Sequence, residues 1–138
     1  MRLTTVLLLM LSAATIAQTD ELTVKSGRWE TKVITTNTVM PDPVTTTTTV
    51  CIENAIYDPK TLLDDVESCQ TNSSTVSGDT LRFSMQCKMQ GANADIAGNF
   101  TARDDEGEGE MAIEMQAGPI QIDIQLSWTT QHVGDECE

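Results

Sequence analysis

Polar and apolar residues alternate along most of this chain, most clearly between Ile96 and Trp128. A period of two is typical of β-strands that bury one face and leave the other in water. Sliding the pairing of two such strands by one residue would move every apolar side chain to the solvent face. The alternation therefore constrains strand register as well as secondary structure.

Two hairpin turns in this segment can be placed independently, and they agree on which residues point inward. A turn at Asp104-Asp105 predicts that Ile96 lies opposite Ile113. A turn at Ala117-Gly118 predicts that Ile113 lies opposite Ile122. Both turns assign the odd-numbered residues of the middle strand to the core, which indicates one apolar face shared by three strands.

The middle strand begins with two inward-facing glycines in the sequence DDEGEGE. The predicted registers place Phe100 and Trp128 where their rings can lie over the space left by Gly107 and Gly109. The alternating glutamates then point outward into water.

These outward carboxylates raise the question of a metal site. A calcium site needs several oxygen ligands converging on one point, whereas side chains that alternate out of a strand diverge into solvent. We predict a solvated acidic face, and the alternative is a weak cation site at Glu108, Glu110 and Glu114.

The earlier part of the chain predicts two more hairpins. A turn at Pro41-Asp42-Pro43 places Val33 opposite Val50, and the threonine run before Val50 is typical of a strand because threonine has high β propensity. A turn at Gly78-Asp79 places Val76 opposite Leu81.

One short helix is predicted at about residues 59–66, with Asp58 as its N-cap and Pro59 at its first position. The complete pattern predicts a mainly β fold: about seven antiparallel strands in an up-and-down meander that form a curved sheet or partial barrel. A two-sheet sandwich is the alternative.

The N-terminus has the layout of a secretory signal peptide. Arg2 precedes an apolar run, and small residues end at Ala17. A transmembrane helix needs roughly 20 apolar residues, and this run is shorter. We expect residues 1–17 to be removed, which leaves residues 18–138 as a single domain without an integral membrane segment.

The chain carries a formal net charge of −13, which disfavours binding to nucleic acid and to anionic lipid surfaces. High net charge also favours a dispersed protein, so we expect a monomer.

Four cysteines in an exported chain suggest two disulfides. Cys87 falls on the inward row, whereas the predicted registers put Cys51 and Cys69 outside that row. Cysteines on opposite faces of a sheet cannot approach to bonding distance. The favoured pairing is therefore Cys51–Cys69 and Cys87–Cys137. A zinc site is disfavoured because the chain has no CxxC pair and a single histidine.

Catalytic motifs are lacking. No GxSxG elbow, P-loop, HExxH or dinucleotide fingerprint occurs. The single histidine, His132, is interpreted as an exposed strand-end residue. Asp95, Glu114 and Gln121 are predicted to lie side by side on the outer face, but raising a carboxylate pKa requires burial or a close like charge. We predict no catalytic residue and no cofactor.

Several short motifs, taken together and in order, resemble the bacterial family of small exported proteins called domain of unknown function 3617. They span the chain after the leader: GRWE (residues 27–30), VCI (50–52), Cys69, SGDTLRFSMQC (77–87), GEGEMAIEM (107–115) and GDEC (134–137). Glu136 before Cys137 departs from the family's usual Gly-Asp-Cys ending. The resemblance implies a periplasmic or secreted protein, and it supplies no catalytic residue.

The functional interpretation is a non-enzymatic β module of the bacterial envelope. It would bind an unknown small molecule or protein partner through the concave side of its sheet or through an edge strand. Met85, Met111 and Met115 on the inner face could line an adaptable pocket, although ordinary core is the preferred interpretation. Cation binding by the acidic outer face is the alternative, and a carboxylate-dependent hydrolase is the residual one.

Overall fold

The computed structural model describes residues 20–63 and 65–137, so the predicted signal peptide lies outside the described residues. Seven strands and one short 3₁₀ helix, η1, make up the fold. Their bounds are β1 (Gly27–Asn37), β2 (Val44–Ile52), η1 (Pro59–Leu62), β3 (Val66–Ser77), β4 (Thr80–Met89), β5 (Ala92–Arg103), β6 (Glu106–Ala117) and β7 (Ile120–Gly134).

All seven strands form one antiparallel sheet in the order β2-β1-β7-β6-β5-β4-β3. The mainly β meander is thus confirmed, and the sandwich alternative is wrong because no second sheet is present among the described strands. The long-range pairing of β1 with β7 curls the chain back on itself. The sheet does not close, since β2 and β3 each keep one free edge.

The predicted registers fall into two groups. Those of β5 with β6, and of β3 with β4 next to their turn, are confirmed. The register of β6 with β7 is wrong by two residues: Ile113 lies opposite Ile124 because the turn is Gly118-Pro119. Gly118 has φ +61, which suits the first position of a two-residue hairpin turn.

The register of β1 with β2 is wrong by four residues, because Val33 lies opposite Thr46 and Trp29 lies opposite Val50. The turn is longer than predicted. The Asn37 carboxamide oxygen accepts hydrogen bonds from the backbone N–H groups of Val39 and Met40, a local turn that ends β1 before the prolines. Both registers are wrong by an even number of residues, so the side chains predicted for the inner face still point to that face.

The inner face of the sheet forms one apolar core. Gly107 lies beneath the ring of Phe100, and Gly109 lies beneath the indole of Trp128, as predicted. Thr31 and Thr130 are the buried polar residues of this face, and their hydroxyl groups form a hydrogen bond of 2.9 Å. The buried apolar residues are Leu22, Val24, Trp29, Val33, Leu81, Phe83, Met85, Cys87, Met89, Ala94, Ile96, Phe100, Met111, Ile113, Leu126 and Trp128.

The predicted helix at 59–66 is too long. Asp58 does cap its start by accepting from the Lys60 N–H at 3.0 Å. A single 3₁₀ turn follows and ends at Leu62, because Leu63 is already extended and Val66 begins β3. Leu62 and Leu63 pack against the core.

The predicted disulfide pairing is corrected: Cys51 is bonded to Cys137, and Cys69 is bonded to Cys87. The reason is an extra residue in β3. The register of β3 with β4 shifts between Thr71 and Ser73, so that Cys69 lies directly opposite Cys87 instead of beside it. A one-residue bulge turns the following side chains to the other face, and this bulge brings Cys69 to the inner side.

The two inward glycines should tolerate no side chain. Their φ angles are negative, so alanine brings no backbone strain and would by itself stabilise the protein by about 0.4–1 kcal/mol through the unfolded chain. A Cβ at Gly109 would overlap the Trp128 ring, and one at Gly107 would overlap Phe100. We expect Gly107→Ala and Gly109→Ala each to lower the free energy of unfolding by about 1–3 kcal/mol in urea.

The matched control is Glu108→Ala, which changes an exposed residue between the two glycines and should shift the free energy of unfolding by less than about 0.5 kcal/mol. Equal effects at positions 107, 108 and 109 would contradict the assigned faces.

The two disulfides should differ in their contribution to stability. In the chain-entropy account, the bond spanning 86 residues contributes about 4–5 kcal/mol and the one spanning 18 residues about 3 kcal/mol. We expect Cys51→Ala/Cys137→Ala to destabilise the chain more than Cys69→Ala/Cys87→Ala in urea unfolding. Peptide mapping without reductant provides the control, and recovery of a Cys51–Cys69 peptide would refute the pairing.

Candidate functional site

Two segments outside the strands fill part of the gap between the free edges of β2 and β3. Asp20 donates its backbone N–H to the carbonyl of Ser74 in β3 at 2.9 Å. Val24 donates its N–H to the carbonyl of Ala55, also at 2.9 Å, and Tyr57 donates to Leu22. We call the segments 20–26 and 53–63 the closing segments. They are hydrogen-bonded to each other, and the first of them is also hydrogen-bonded to the edge of β3.

A hollow of about 620 Å³ remains between the closing segments and the inner side of β3 and β4. We call it the seam hollow. Its apolar lining comes from Ile52, Ile56, Tyr57, Leu81, Phe83 and Met85. Its charged lining comes from Asp20, Glu21, Glu53 and Asp58 together with Lys60. The ammonium of Lys60 lies 3.8 Å from the Asp58 carboxylate, so the rim is predominantly negative.

Tyr57 is a partly buried aromatic residue of this wall. Its ring stacks on Phe100, with centroids 3.9 Å apart. Neither the Tyr57 hydroxyl nor the Trp128 indole N–H has a hydrogen-bond partner of normal geometry among the described residues. Burial raises the pKa of the Tyr57 phenol strongly, and the nearby indole of Trp128 offsets only part of that rise. The phenol is therefore neutral and its oxygen is poorly satisfied.

A second hollow on the inner side is much smaller. A cavity of about 20 Å³ lies between Trp29, Tyr57 and Leu62. Met85 and Met111 are buried in the core, and Met115 packs against it. The methionines thus belong to the core or pack against it, as preferred, and Met85 in addition lines the seam hollow.

The outer face carries two shallow hollows of about 610 and 490 Å³, which share Lys32, Thr101, Glu108 and Thr129. Polar side chains form most of their walls, and the smaller hollow also has Ile34 and Trp128 in its lining. The seam hollow differs because more of its lining is apolar, including the buried residues Leu81, Phe83 and Met85. It is therefore the stronger candidate for binding a small molecule.

The acidic residues singled out from sequence lie on this outer face. Glu108, Glu110 and Glu114 are exposed on the outer side of β6, where Ala112 separates Glu110 from Glu114. Glu114 lies between Asp95 and Asp123, so the predicted neighbour Gln121 is wrong by two residues. Among residues 20–63 and 65–137, no group of three or more histidine, cysteine, aspartate or glutamate side chains is placed to hold a metal ion.

His132 is not the exposed residue that the sequence suggested, because its side chain is only 7% accessible. Its Nε2 lies 3.0 Å from the carbonyl oxygen of Ser26 and 3.6 Å from the Asp135 carboxylate. The ring packs edge-on against Trp29. These contacts tie the end of β7 to the start of β1, which is a structural role.

Two features of the site were not predicted from the sequence. Leu22 and Val24 alternate with polar residues shortly after the expected signal peptide, and that pattern could have indicated a pairing segment. Nothing in the sequence around Tyr57 indicates that this residue stacks inside the sheet.

A model of one protein family, described as protein of unknown function (DUF3617), matches residues 24–137. No curated protein and no solved structure matches the chain. Within the described residues, no helix is long and apolar enough to cross a membrane.

Tyr57 is the chain's single tyrosine, so its ionisation can be followed by tyrosinate absorbance. In the unfolded chain it should ionise near its ordinary pKa of 10.0, whereas the folded protein keeps it protonated. Above about pH 10 the unfolded state therefore loses a proton that the folded state retains, and the free energy of unfolding falls as pH rises.

We expect Tyr57→Phe to reduce this alkaline slope. At neutral pH it should leave stability unchanged or raise it by up to about 1 kcal/mol, because a poorly satisfied buried hydroxyl is removed. Urea unfolding at neutral and alkaline pH checks both effects. Tyrosinate absorbance that appears near pH 10 in the folded protein would show that Tyr57 is not buried.

Proposed function

Because the chain belongs to the DUF3617 family, whose function is unknown, we propose its role from the structure and the sequence. It is a non-catalytic binding module of the bacterial envelope that holds a small amphipathic molecule in the seam hollow. The ligand has an apolar body and a positively charged end. The observation that carries this proposal is the combination of an apolar floor and an acidic rim in one hollow.

The size of the seam hollow suits a small molecule. Ligand sites in proteins are typically about 300–1,000 Å³, and this hollow of about 620 Å³ lies within that range. It also lies at the gap between β2 and β3, where the sheet cannot close over it. A ligand can therefore enter without breaking the main ladder of strands.

The floor supports an apolar ligand body. Phe83 and Met85 project from β4, and Tyr57 projects from the closing segment opposite them. Apolar contact gives about 25 cal/mol for each Å² removed from water. The affinity is thus expected to come from the chain or ring of the ligand.

The rim supports selectivity for a cationic end. Glu21 and Glu53 are exposed, and Asp20 and Asp58 lie beside them in the lining. An exposed ion pair contributes about 0.2–1 kcal/mol. The rim therefore discriminates between charges of the head group and adds little to total affinity.

The proposed location rests on the disulfides and the leader. Two disulfides suggest an oxidising, extracellular type of environment. Together with the signal peptide expected at residues 1–17, they support a periplasmic or secreted protein. Neither the family nor the fold gives an indication of catalysis.

The test uses residues 18–138, the chain without its expected signal peptide. Three probes are added below their critical micelle concentrations: decyltrimethylammonium, decyl maltoside and decanoate. Chemical-shift changes in amide NMR spectra should be saturable, should centre on residues of the seam hollow, and should be strongest for the ammonium probe. Thr71→Trp, which fills the hollow from β3, should weaken binding of every probe at least about tenfold.

Thr75→Trp is the matched control, since Thr75 is exposed on the same strand and does not line the hollow. Glu21→Gln/Glu53→Gln should weaken the ammonium probe by about two- to tenfold and leave the maltoside unchanged, while Glu108→Gln/Glu110→Gln should alter neither. Absence of saturable binding, or binding insensitive to Thr71→Trp, would overturn the proposal.

A further inference from the structure

The two free edges of the sheet are protected very differently. On β3, register shifts interrupt the strand at two places, between Val66 and Ser68 and between Thr71 and Ser73. Asp20 also covers β3 by hydrogen bonding to Ser74. Bulges and covering segments are two ways in which proteins prevent an edge from pairing with another chain.

The β2 edge has neither protection. Its register with β1 runs from Val44 to Ile52 without a shift, and the strand contains no charged residue and no proline. Residues 44–49 are all exposed. Within the described parts of the chain, no backbone hydrogen bond to the free side of β2 is present. An unprotected edge of this kind is a template for strand addition.

The sequence of β2 indicates which strand fits this edge. Residues 44–50 read VTTTTTV, which is the same in both directions about Thr47. We propose that β2 pairs antiparallel with β2 of a second copy of this chain, on a two-fold axis at Thr47. Symmetric dimers use one self-complementary surface twice, and a palindromic edge strand supplies that surface.

This register matches side chains of the same kind across the new interface. Thr47 faces its own counterpart, and Val44, which is 52% exposed, faces Val50 of the partner subunit. The remaining pairs are threonine opposite threonine. Directly opposite residues lie on the same face, and threonine–threonine pairs in this position stabilise antiparallel strands. Shifting the register by two residues would separate both valine pairs.

The charge distribution also favours a second copy at this edge. With a net charge of −13, most surfaces of the chain repel another copy. The hairpin from Val33 to Ile52 contains one charged residue, Asp42. Two copies that meet along β2 bring few carboxylates together, so the expectation of a monomer from total charge does not apply at this edge.

The length of the paired segment limits the affinity. Pro43 lacks the N–H needed to extend the ladder at one end, and Cys51 is bonded to the C-terminal tail at the other. Seven residues per chain give a small interface, which is typical of weak association. The dimer should form in a concentration-dependent manner.

Single cysteines test the register directly. In the proposed dimer the two copies of residue 47 lie about 4.5–5.5 Å apart at Cα, within the range of a disulfide. Residue 45 instead lies opposite residue 49 of the second copy. The two copies of residue 45 are therefore offset by four residues along the strands, or about 13 Å. Thr47→Cys should therefore form an intermolecular disulfide in the oxidised, full chain, and the matched Thr45→Cys should not.

A charge variant tests the association without added cysteine. Thr47→Lys places two like charges opposite each other and should raise the dimer dissociation constant in sedimentation at least about tenfold. Thr75→Lys on β3 should leave it unchanged, and near-ultraviolet circular dichroism confirms that both variants fold. A monomer at all concentrations, equal cross-linking at positions 45 and 47, or loss of dimer only with Thr75→Lys would overturn the proposal.

Discussion

The fold depends on the contact between two aromatic rings and two glycines. Phe100 and Trp128 lie over Gly107 and Gly109, where the missing side chains of β6 let the rings approach the backbone. Trp128 also lies opposite Val33 of β1. The contact therefore links β6 and β7 to β1, the strand whose pairing with β7 curls the chain back on itself. The same packing sends the glutamates of β6 to the outer face, which explains why this strand can begin with an acidic sequence.

Incomplete closure of the sheet creates both surfaces to which we assign a role. A closed barrel would have no free edge, whereas this sheet ends at β2 and β3. The closing segments cover the β3 side and leave the seam hollow between themselves and β4. The β2 side stays uncovered, with Thr47 at the centre of a self-complementary strand. The proposed ligand site and the proposed pairing edge thus lie on opposite sides of one gap, and each proposal can fail without the other.

The sequence was sufficient for the faces of most strand residues, with Cys69 as an exception, and for only some of the registers. Hydrophobic alternation indicates which face of the sheet a side chain points to, but it does not identify the residue opposite it on the next strand. The inner positions of β6 were therefore predicted correctly although its register with β7 was wrong by two residues. Local side-chain chemistry decided the rest: Asn37 ends β1 early, and the extra residue in β3 turns Cys69 inward. The pairing of β1 with β7 and the burial of Tyr57 depend on contacts distant in sequence, which alternation does not report.

The most direct test of this account is the proton NMR spectrum of the two glycines. Ring currents above an aromatic face shift nearby protons upfield, so the Hα resonances of Gly107 and Gly109 should be shifted upfield and show cross-peaks to the rings of Phe100 and Trp128. Glycine Hα resonances at random-coil positions, with ring contacts from Glu108 and Glu110 instead, would contradict the assignment of the inner face and everything built on it.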